Sequence, residues 1–466
     1  MTKENGMNLL EGNLYKTILK LGYPMAIASV VQMLYNLADT FWLGKLGREA
    51  LAAPIISFNI IFFIISLGMG FSIAGTSLVS QYIGSGEKEK ANKVAGNLLF
   101  YLIFFSVFFV FVGLFFDRSF LNFLATPEDA FNLTLSYYRV MVIGMPLAFP
   151  FFVYQSVMNG YGDTISPLKI QIISAAINLI LDPILIFGWF GFPCLGVKGA
   201  ALTTIITRGI ASFVGIYYFF SGTKGIKLNL KHLKPDFKLT PLMFKIGFPS
   251  SIGMSGASLG FLVLIGIVNR FGTPVISAYG IANRVVHLFM MPAMGISSAV
   301  TAIVGQNLGA NNLRRAKDAV KKGVYLILVV IVPSMTLTAL FGEYITIFFI
   351  PNDPLVHQIG NIMFYIVSPS VIFFALTSVF NSAFQGAGFT IPVMATNLAR
   401  IWVFRIPLVY FFSYVLLNGP NDINSSVGIW SGMFFSNLFA FLMILVWYLK
   451  GNWVKSRINI KSTSNE

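Results

Sequence analysis

Three residues in apolar surroundings have the types and spacing to hold a small cation. Asp39 stands in "NLADTFWLGK" (36–45), at the end of an uncharged run that begins after Lys20; Asn178 and Asp182 stand in "NLILDPILIFG" (178–188). The chain has 17 Asp and Glu, and Asp39 and Asp182 are the ones inside predicted membrane spans. A carboxylate within a bilayer costs several kcal/mol unless it is neutralised, paired or hydrated, so acids placed there are functional candidates. Asn178 and Asp182 lie one helical turn apart and share a face. Pro183 lacks an N–H and leaves a carbonyl one turn back free for other partners. A carboxylate, an amide oxygen and a free carbonyl are hard oxygen ligands of the kind Na+ needs. Burial equally disfavours the charged form of a carboxylate, which is what a proton carrier needs. Both options, H+ and Na+, stay open at this point.

The elements that position these groups follow from composition. The 466 residues are 56% hydrophobic and 11% charged, with mean hydropathy +0.77, against roughly 25% charged in an average soluble domain. Windows of about 20 apolar residues, the length of a spanning helix, are predicted near 15–40, 51–76, 94–116, 132–158, 166–188, 197–220, 241–268, 277–304, 319–341, 357–382, 391–416 and 427–449. Runs such as "LLFYLIFFSVFFVFVGLFF" are apolar on every face, whereas β-barrel strands alternate. The expected fold is an all-α integral membrane protein of twelve transmembrane helices. Lys3 and Glu4 precede no apolar core with a small-residue cleavage site, so the first span is expected in the mature protein. Cys194 is the single cysteine, which excludes an intrachain disulfide and a thiolate metal cluster.

The net charge of +15 raises nucleic acid as a partner, but its distribution argues for membrane orientation. With the N-terminus cytoplasmic, the outer connections hold Lys45, Arg48, Arg118, Lys198 and Arg270, while the inner connections and tails, from Lys3 to Lys461, hold most of the other Lys and Arg. That asymmetry is the positive-inside pattern for an even number of spans. A multi-pass protein of the cell inner (plasma) membrane with both termini cytoplasmic is expected, with the bilayer as partner and no nucleic acid. The basic stretch "GTKGIKLNLKHLKPDFKLT" (222–240) reads as a solvated cytoplasmic linker, in reach of anionic headgroups.

A shift of 225 residues lays the chain on itself: "LGYP" (21–24) meets "IGFP" (246–249), Gly70 meets Gly295, Gln81 meets Gln306 and Gly84 meets Gly309. Further on, "NGYGDT" (159–164) meets "QGAGFT" (385–390). The copies therefore make an N-lobe (1–221, helices 1–6) and a C-lobe (241–466, helices 7–12 and a short tail), joined by 222–240. Six helices separate the copies, so they run in the same direction, related by a pseudo-two-fold axis along the membrane normal, as in alternating-access carriers. The repeat counterparts of the two acids are Leu264 and about Ile406, which confines the ion chemistry to one lobe.

The motifs "LYNLADTFWLGKLGREALAAP" (34–54), "SLGMGFSIAGTSLVSQYIGSGEKEKANK" (66–93), "NGYGDT", "NLILDPILIFG", "GVKGAALTT" (196–204) and "ISAYGIANRVVHLFMMPAMGISSAVTAIVGQNLGANN" (276–312) resemble the multidrug and toxic compound extrusion (MATE) family, closest to its DinF-like prokaryotic branch. The resemblance implies cation-driven antiport of small amphipathic or cationic drugs by alternating access. It implies a coupling site at Asp39, Asn178 and Asp182, with Tyr35 and Thr204 as neighbours and Thr203 as the alternative to Thr204. The NorM-like branch carries a C-lobe acid in helix 7; here that helix, "FPSSIGMSGASLGFLVLIGIVNRF", has none, so that mechanism does not carry over. The alternative within the same superfamily is a lipid-linked oligosaccharide flippase, which needs a strongly cationic cleft.

Basic residues inside spans are Arg139, Arg208, Arg284 and Arg405, with His287. Arg139 and Arg208 are expected to be structural, reaching the headgroups. Arg284, His287, Arg405 and Tyr137 are candidates to line a cleft. Pro24 and Pro249 permit kinks in helices 1 and 7, and a bend in helix 1 that moves Asp39 is the expected gate. "GYGD" (160–163) matches an intramembrane aspartyl protease pattern, but Asp163 falls at a cytoplasmic connection and the repeat copy places Phe389 there. No GxxxxGK[ST] or HExxH occurs. An enzyme is not expected, nor a cofactor beyond the coupling ion, and a monomer is.

Overall fold

The computed structural model describes residues 6–124 and 126–458, and every regular element among them is helical. Lys3 and Lys461, used above to orient the tails, lie outside the described residues. The first repeat comprises α1 (Leu14–Gly44), α2 (Arg48–Gly84), α3 (Lys88–Phe115), the short α4 (Asp117–Phe123), α5 (Glu128–Ile143), α6 (Met145–Tyr161), α7 (Ile165–Phe187) and α8 (Val197–Ser221). The second comprises α9 (Thr240–Asn269), α10 (Thr273–Gly309), α11 (Leu313–Leu340), the short α12 (Gly342–Phe349) and α13 (Pro354–Ala387). It ends with α14 (Thr390–Leu398), α15 (Ile406–Tyr410) and α16 (Ser426–Leu449), with π-helical turns at Ala399–Arg405 and Phe411–Val415 on either side of α15.

Eleven helices among the described residues are long and apolar enough to span a membrane, and α5 with α6 supplies a twelfth if the bent pair is one span. The predicted span 132–158 is thus broken, with a bend of 53° between α5 and α6. Pro146, in the first turn of α6, has no N–H to continue the ladder. Gly144 sits at the break because a Cβ there would collide with Ile205 of α8. Hydropathy registers the apolar run but not the bend. The helices α2 and α10, of 37 residues each, run about 55 Å, so their polar ends extend beyond the roughly 30 Å hydrocarbon core.

The chain forms two compact units, and each takes a half-helix from the other repeat. One holds Ile27–Ser251; the other holds Leu9–Ala26 and the described chain from Ile252 onward. The changeovers fall just after Pro24 and Pro249, the prolines inside α1 and α9. Glycines make each exchanged half fit. In the second unit a Cβ on Gly22 would lie 3.1 Å from the Gly295 carbonyl carbon on α10. In the first unit Gly247 faces the Phe71 ring on α2, and Ser251 Oγ donates to the Leu67 carbonyl at 2.6 Å. Gly70 leaves the room for Ser251, since a Cβ there would collide with its backbone. The same repeat-related glycines, Gly22 with Gly247 and Gly70 with Gly295, serve both exchanges.

The basic stretch 222–240 is packed against α3 and lies inside the first unit, where the charge pattern suggests a solvated linker. Asn97 Nδ2 donates to the carbonyls of His232 (3.1 Å) and Lys234 (3.2 Å), and its Oδ1 accepts from Asp236 N at 2.7 Å. His232 is buried, pairs with Glu89 at 2.8 Å and covers Gly96, where a Cβ would strike its carbonyl. Lys side chains dominate the composition of this stretch, and they hide the side chain and backbone partners that fix it.

Candidate functional site

Within the first unit, α1, α7 and α8 bring the predicted cation ligands together. The "GVKGA" turn explains how. Gly188 and Gly196 take left-handed φ angles of 75° and 56° at the two ends of the α7–α8 connection. Gly199 packs its bare backbone on the Leu185 carbonyl, where a Cβ would clash, so α8 starts against the turn of α7 that carries Asp182. The hydroxyls of Thr203, Thr204 and Thr207 follow within the next two turns of α8.

Thr204 Oγ1 donates to Asp39 Oδ2 at 3.3 Å, and Asn178 Nδ2 approaches Asp182 Oδ1 at 3.5 Å. Asp39 and Asp182 are electrostatic neighbours. Asp182 and Asn178 are fully buried. Three acceptor oxygens, Asp39 Oδ1, Asn178 Oδ1 and Asp182 Oδ2, are buried with no hydrogen-bond partner. Unsatisfied buried acceptors of this kind cost on the order of 1–3 kcal/mol each, more when charged, and the three side chains that carry them are neighbours contributed by two helices. Tyr35 Oη and Thr207 Oγ1 are 3.0 Å apart, and the one Thr207 hydroxyl proton is shared between the Thr203 and Thr204 carbonyls, which leaves the Tyr35 hydroxyl to donate to Thr207. Thr203 gives its hydroxyl to the Gly199 carbonyl and lies beside Asp182, while Thr204 meets Asp39. Tyr137 on α5 is buried, within electrostatic range of Asp39 and Asp182.

A cavity of about 500 Å³, open mouth included, lies beside the cluster and is lined by Gln32, Tyr35, Phe151, Phe152, Gln155 and Arg208 among others. Tyr35 is common to the cavity wall and the hydroxyl chain. Arg208 lines the cavity and faces Asp39 electrostatically, a placement that differs from the headgroup contact expected for it. Arg139 pairs with Asp117 at 2.6 Å. Thr207 and Ser174, whose hydroxyl donates to the Thr207 carbonyl, were not singled out in the sequence. Their spacing on α8 and α7 relative to Thr203 and Asn178 was the available signal. Arg284 and His287 are exposed on α10, and Arg405 is buried against α16, so these three belong to the second unit and not to this cluster.

Asp163 serves a different purpose. Gly162 takes φ 97°, and the Asp163 carboxylate accepts from the Ile165 and Ser166 backbone N–H groups and from the Ser166 hydroxyl, closing the start of α7. Such a tied acid caps a helix.

Comparison with known proteins places the fold. The MatE family model matches the chain twice, over residues 24–184 and 249–411; the two starts are 225 residues apart, the shift read from the sequence. Curated relatives include "Probable multidrug resistance protein YoeA" of Bacillus subtilis, 28% identical over 93% of this chain and 93% of its own length. "Probable multidrug resistance protein NorM" of Thermotoga maritima is 28% identical over 95% and 94%. Among solved structures, an outward-facing multidrug resistance MATE family transporter of the MOP superfamily superimposes with a TM-score of 0.88, at 23% identity, over 98% of this chain and 99% of that one. With both halves matched by the family model and the helical fold shared across nearly the whole length, the chain belongs to the MatE family of multi-pass membrane proteins.

Proposed function

We propose that the protein is a secondary active exporter of small amphipathic or cationic compounds, driven by inward movement of a proton or sodium ion through Asp39, Asn178 and Asp182. The single observation that carries this reading is the gathering of Asp39, Asn178 and Asp182, each with a buried acceptor oxygen that has no hydrogen-bond partner, with the two acids as electrostatic neighbours. Two carboxylates so close are stable together only with a proton or cation between them. The names of the curated relatives support export of drugs as the work this ion does.

Ion and substrate are coupled in this account through Tyr35. It lines the cavity and holds Thr207, one turn from the Thr204 that binds Asp39. An ion arriving from outside draws Asp39, Asp182 and Asn178 inward around it, shifts the Tyr35–Thr207 contact and weakens the hold on a substrate beside Gln32, Gln155 and the Phe151 and Phe152 rings. The substrate leaves outward, and the ion then leaves to the cytoplasm. For a net-neutral substrate exchanged one for one, the charge moved inward across 100 mV supplies about 2.3 kcal/mol, which sustains a gradient of roughly fiftyfold; a monovalent cationic substrate cancels that charge, and its export draws on the concentration gradient of the ion. The chain works as a monomer in the cytoplasmic membrane with both termini inside, and performs no covalent chemistry.

Gradient-driven efflux of a fluorescent cationic dye from proteoliposomes tests the reading. Wild-type protein is expected to transport uphill under an imposed proton or sodium gradient, and Asp39→Asn to insert and bind dye without uphill transport. Undiminished transport by Asp39→Asn contradicts the assignment, and lipid flipping without dye efflux replaces it with the flippase reading.

A further inference from the structure

Among the described residues, the second unit holds two buried guanidiniums with no carboxylate paired to them. Arg400 and Arg405 occupy the π-helical turn Ala399–Arg405 and are 6% and 3% exposed. In a π turn, residues five apart fall one above the other, because its hydrogen bonds run from i to i+5. The α9 sequence "GMSGASLG" presses this turn inward. Gly253, Gly256 and Gly260 line one face of α9, where side chains would collide with Met394, Leu398 and Ile401 respectively. Trp402 Nε1 fastens the contact by donating to the Gly256 carbonyl at 2.8 Å.

The surroundings of the two guanidiniums are neutral. Phe261, next to Gly260, presents its ring 5.9 Å from the Cζ of each arginine, and Phe374 on α13 lies 4.6 Å from that of Arg400. Arg405 is oriented from behind: Nε donates to Ser436 Oγ at 2.9 Å and Nη2 to Asn437 Oδ1 at 2.6 Å, while Asn437 Nδ2 donates to Ser370 Oγ at 3.1 Å. Arg400 Nε is buried with no hydrogen-bond partner. Neither arginine is in an ion pair with an acid among the described residues. Asp353 and Asp422, acids of the same unit, are spent on capping backbone N–H groups.

A buried, unpaired cation costs several kcal/mol. A ring face returns about 0.5–2 kcal/mol, and neutral acceptors reach only Arg405. We propose that Arg400 and Arg405 form a binding site for one compact monovalent anion, a halide or the carboxylate of a bound substrate. Guanidinium N–H groups make charge-assisted hydrogen bonds to such an anion. Arg405 is held in place by Ser436 and Asn437, and Arg400 contributes the unused donor. The flanking rings of Phe261 and Phe374 limit the size of what enters. The halide form is independent of the transport reading above, whereas the carboxylate form rests on it and extends the substrates from cations to zwitterions.

Purified full-length protein in detergent is titrated with chloride, and separately bromide, against gluconate at constant ionic strength while thermal unfolding is followed. In parallel, binding of a fluorescent zwitterionic compound bearing a carboxylate is compared with that of its methyl ester. A saturable rise in unfolding temperature with halide, or a preference for the acid over the ester of roughly tenfold, about 1.4 kcal/mol, supports the site; the first result assigns it to a halide and the second to a substrate carboxylate. Arg400→Gln is expected to lose whichever effect the wild type shows, and Arg400→Lys to keep part of it. An unfolding temperature indifferent to halide together with equal binding of acid and ester in the wild type overturns the proposal, and needs no variant to fold. Retention of the full effect by Arg400→Gln overturns it equally.

Discussion

At the scale of single residues, cost in the bilayer is what made the site legible. Asp39 and Asp182 stand out because an acid in an apolar run has to be there for a reason, and the structure brings both, with Asn178, to one place in the first unit. The choice between Thr203 and Thr204 was not legible, because adjacent residues differ by about 100° around a helix and the register depended on a loop. In the folded chain the Thr203 hydroxyl turns back to the Gly199 carbonyl, on the Asp182 side, and the Thr204 hydroxyl meets Asp39. Thr204→Val is therefore expected to weaken coupling-ion affinity by roughly tenfold, the loss of a hydrogen bond to a charged group of about 1.5–3 kcal/mol partly offset by relaxation, with Thr203→Val affecting it less. The pair is compared by the ion concentration that half-saturates efflux. Asp163→Ala is expected to lower stability by about 1 kcal/mol through the lost cap, seen as a lower unfolding temperature with the ion dependence of transport unchanged.

At the scale of elements, hydropathy located the spans and glycine spacing decided how they meet. The break at Gly144 and the π turns around α15 were not legible, since neither changes the apolar character of the window. Both go with close approaches from neighbours: Ile205 against Gly144, Gly260 of α9 against Ile401 in the first π turn, and Gly428 of α16 against Phe412 and Ser413 in the second. Gly260→Leu is expected to destabilise by about 1–3 kcal/mol, the range for overpacking a close contact, as measured by thermal unfolding in detergent. The connector 222–240 reads from its lysines as solvated, yet its backbone is held by Asn97. Asn97→Ala leaves those carbonyls and the Asp236 N–H without that partner, so faster trypsin cleavage within 222–240 is expected, with cleavage elsewhere unchanged.

At the scale of the whole molecule, the 225-residue shift was legible as a duplication, and the family model finds the same two copies. The exchange of half-helices was not, because the prolines that mark it, Pro24 and Pro249, fix only a local loss of hydrogen bonding. Which bundle each half joins is set by Gly22 on Gly295 and by Gly247 on Phe71, contacts far apart in sequence. Orientation rests on the charge pattern and has a direct probe, since Cys194 is the single cysteine and is exposed in the connection between α7 and α8. A membrane-impermeant maleimide is expected to label Cys194 in right-side-out vesicles and not in sealed inverted ones.

The central claim is that a cation held by Asp39 and its partners drives export, and uphill dye movement in proteoliposomes under separately imposed proton and sodium gradients measures it most directly. Accumulation against the dye gradient with wild-type protein, tied to one of the two ions and absent with Asp39→Asn, is the predicted result. Dye that only equilibrates under both gradients, or uphill movement that persists with Asp39→Asn, would contradict the account.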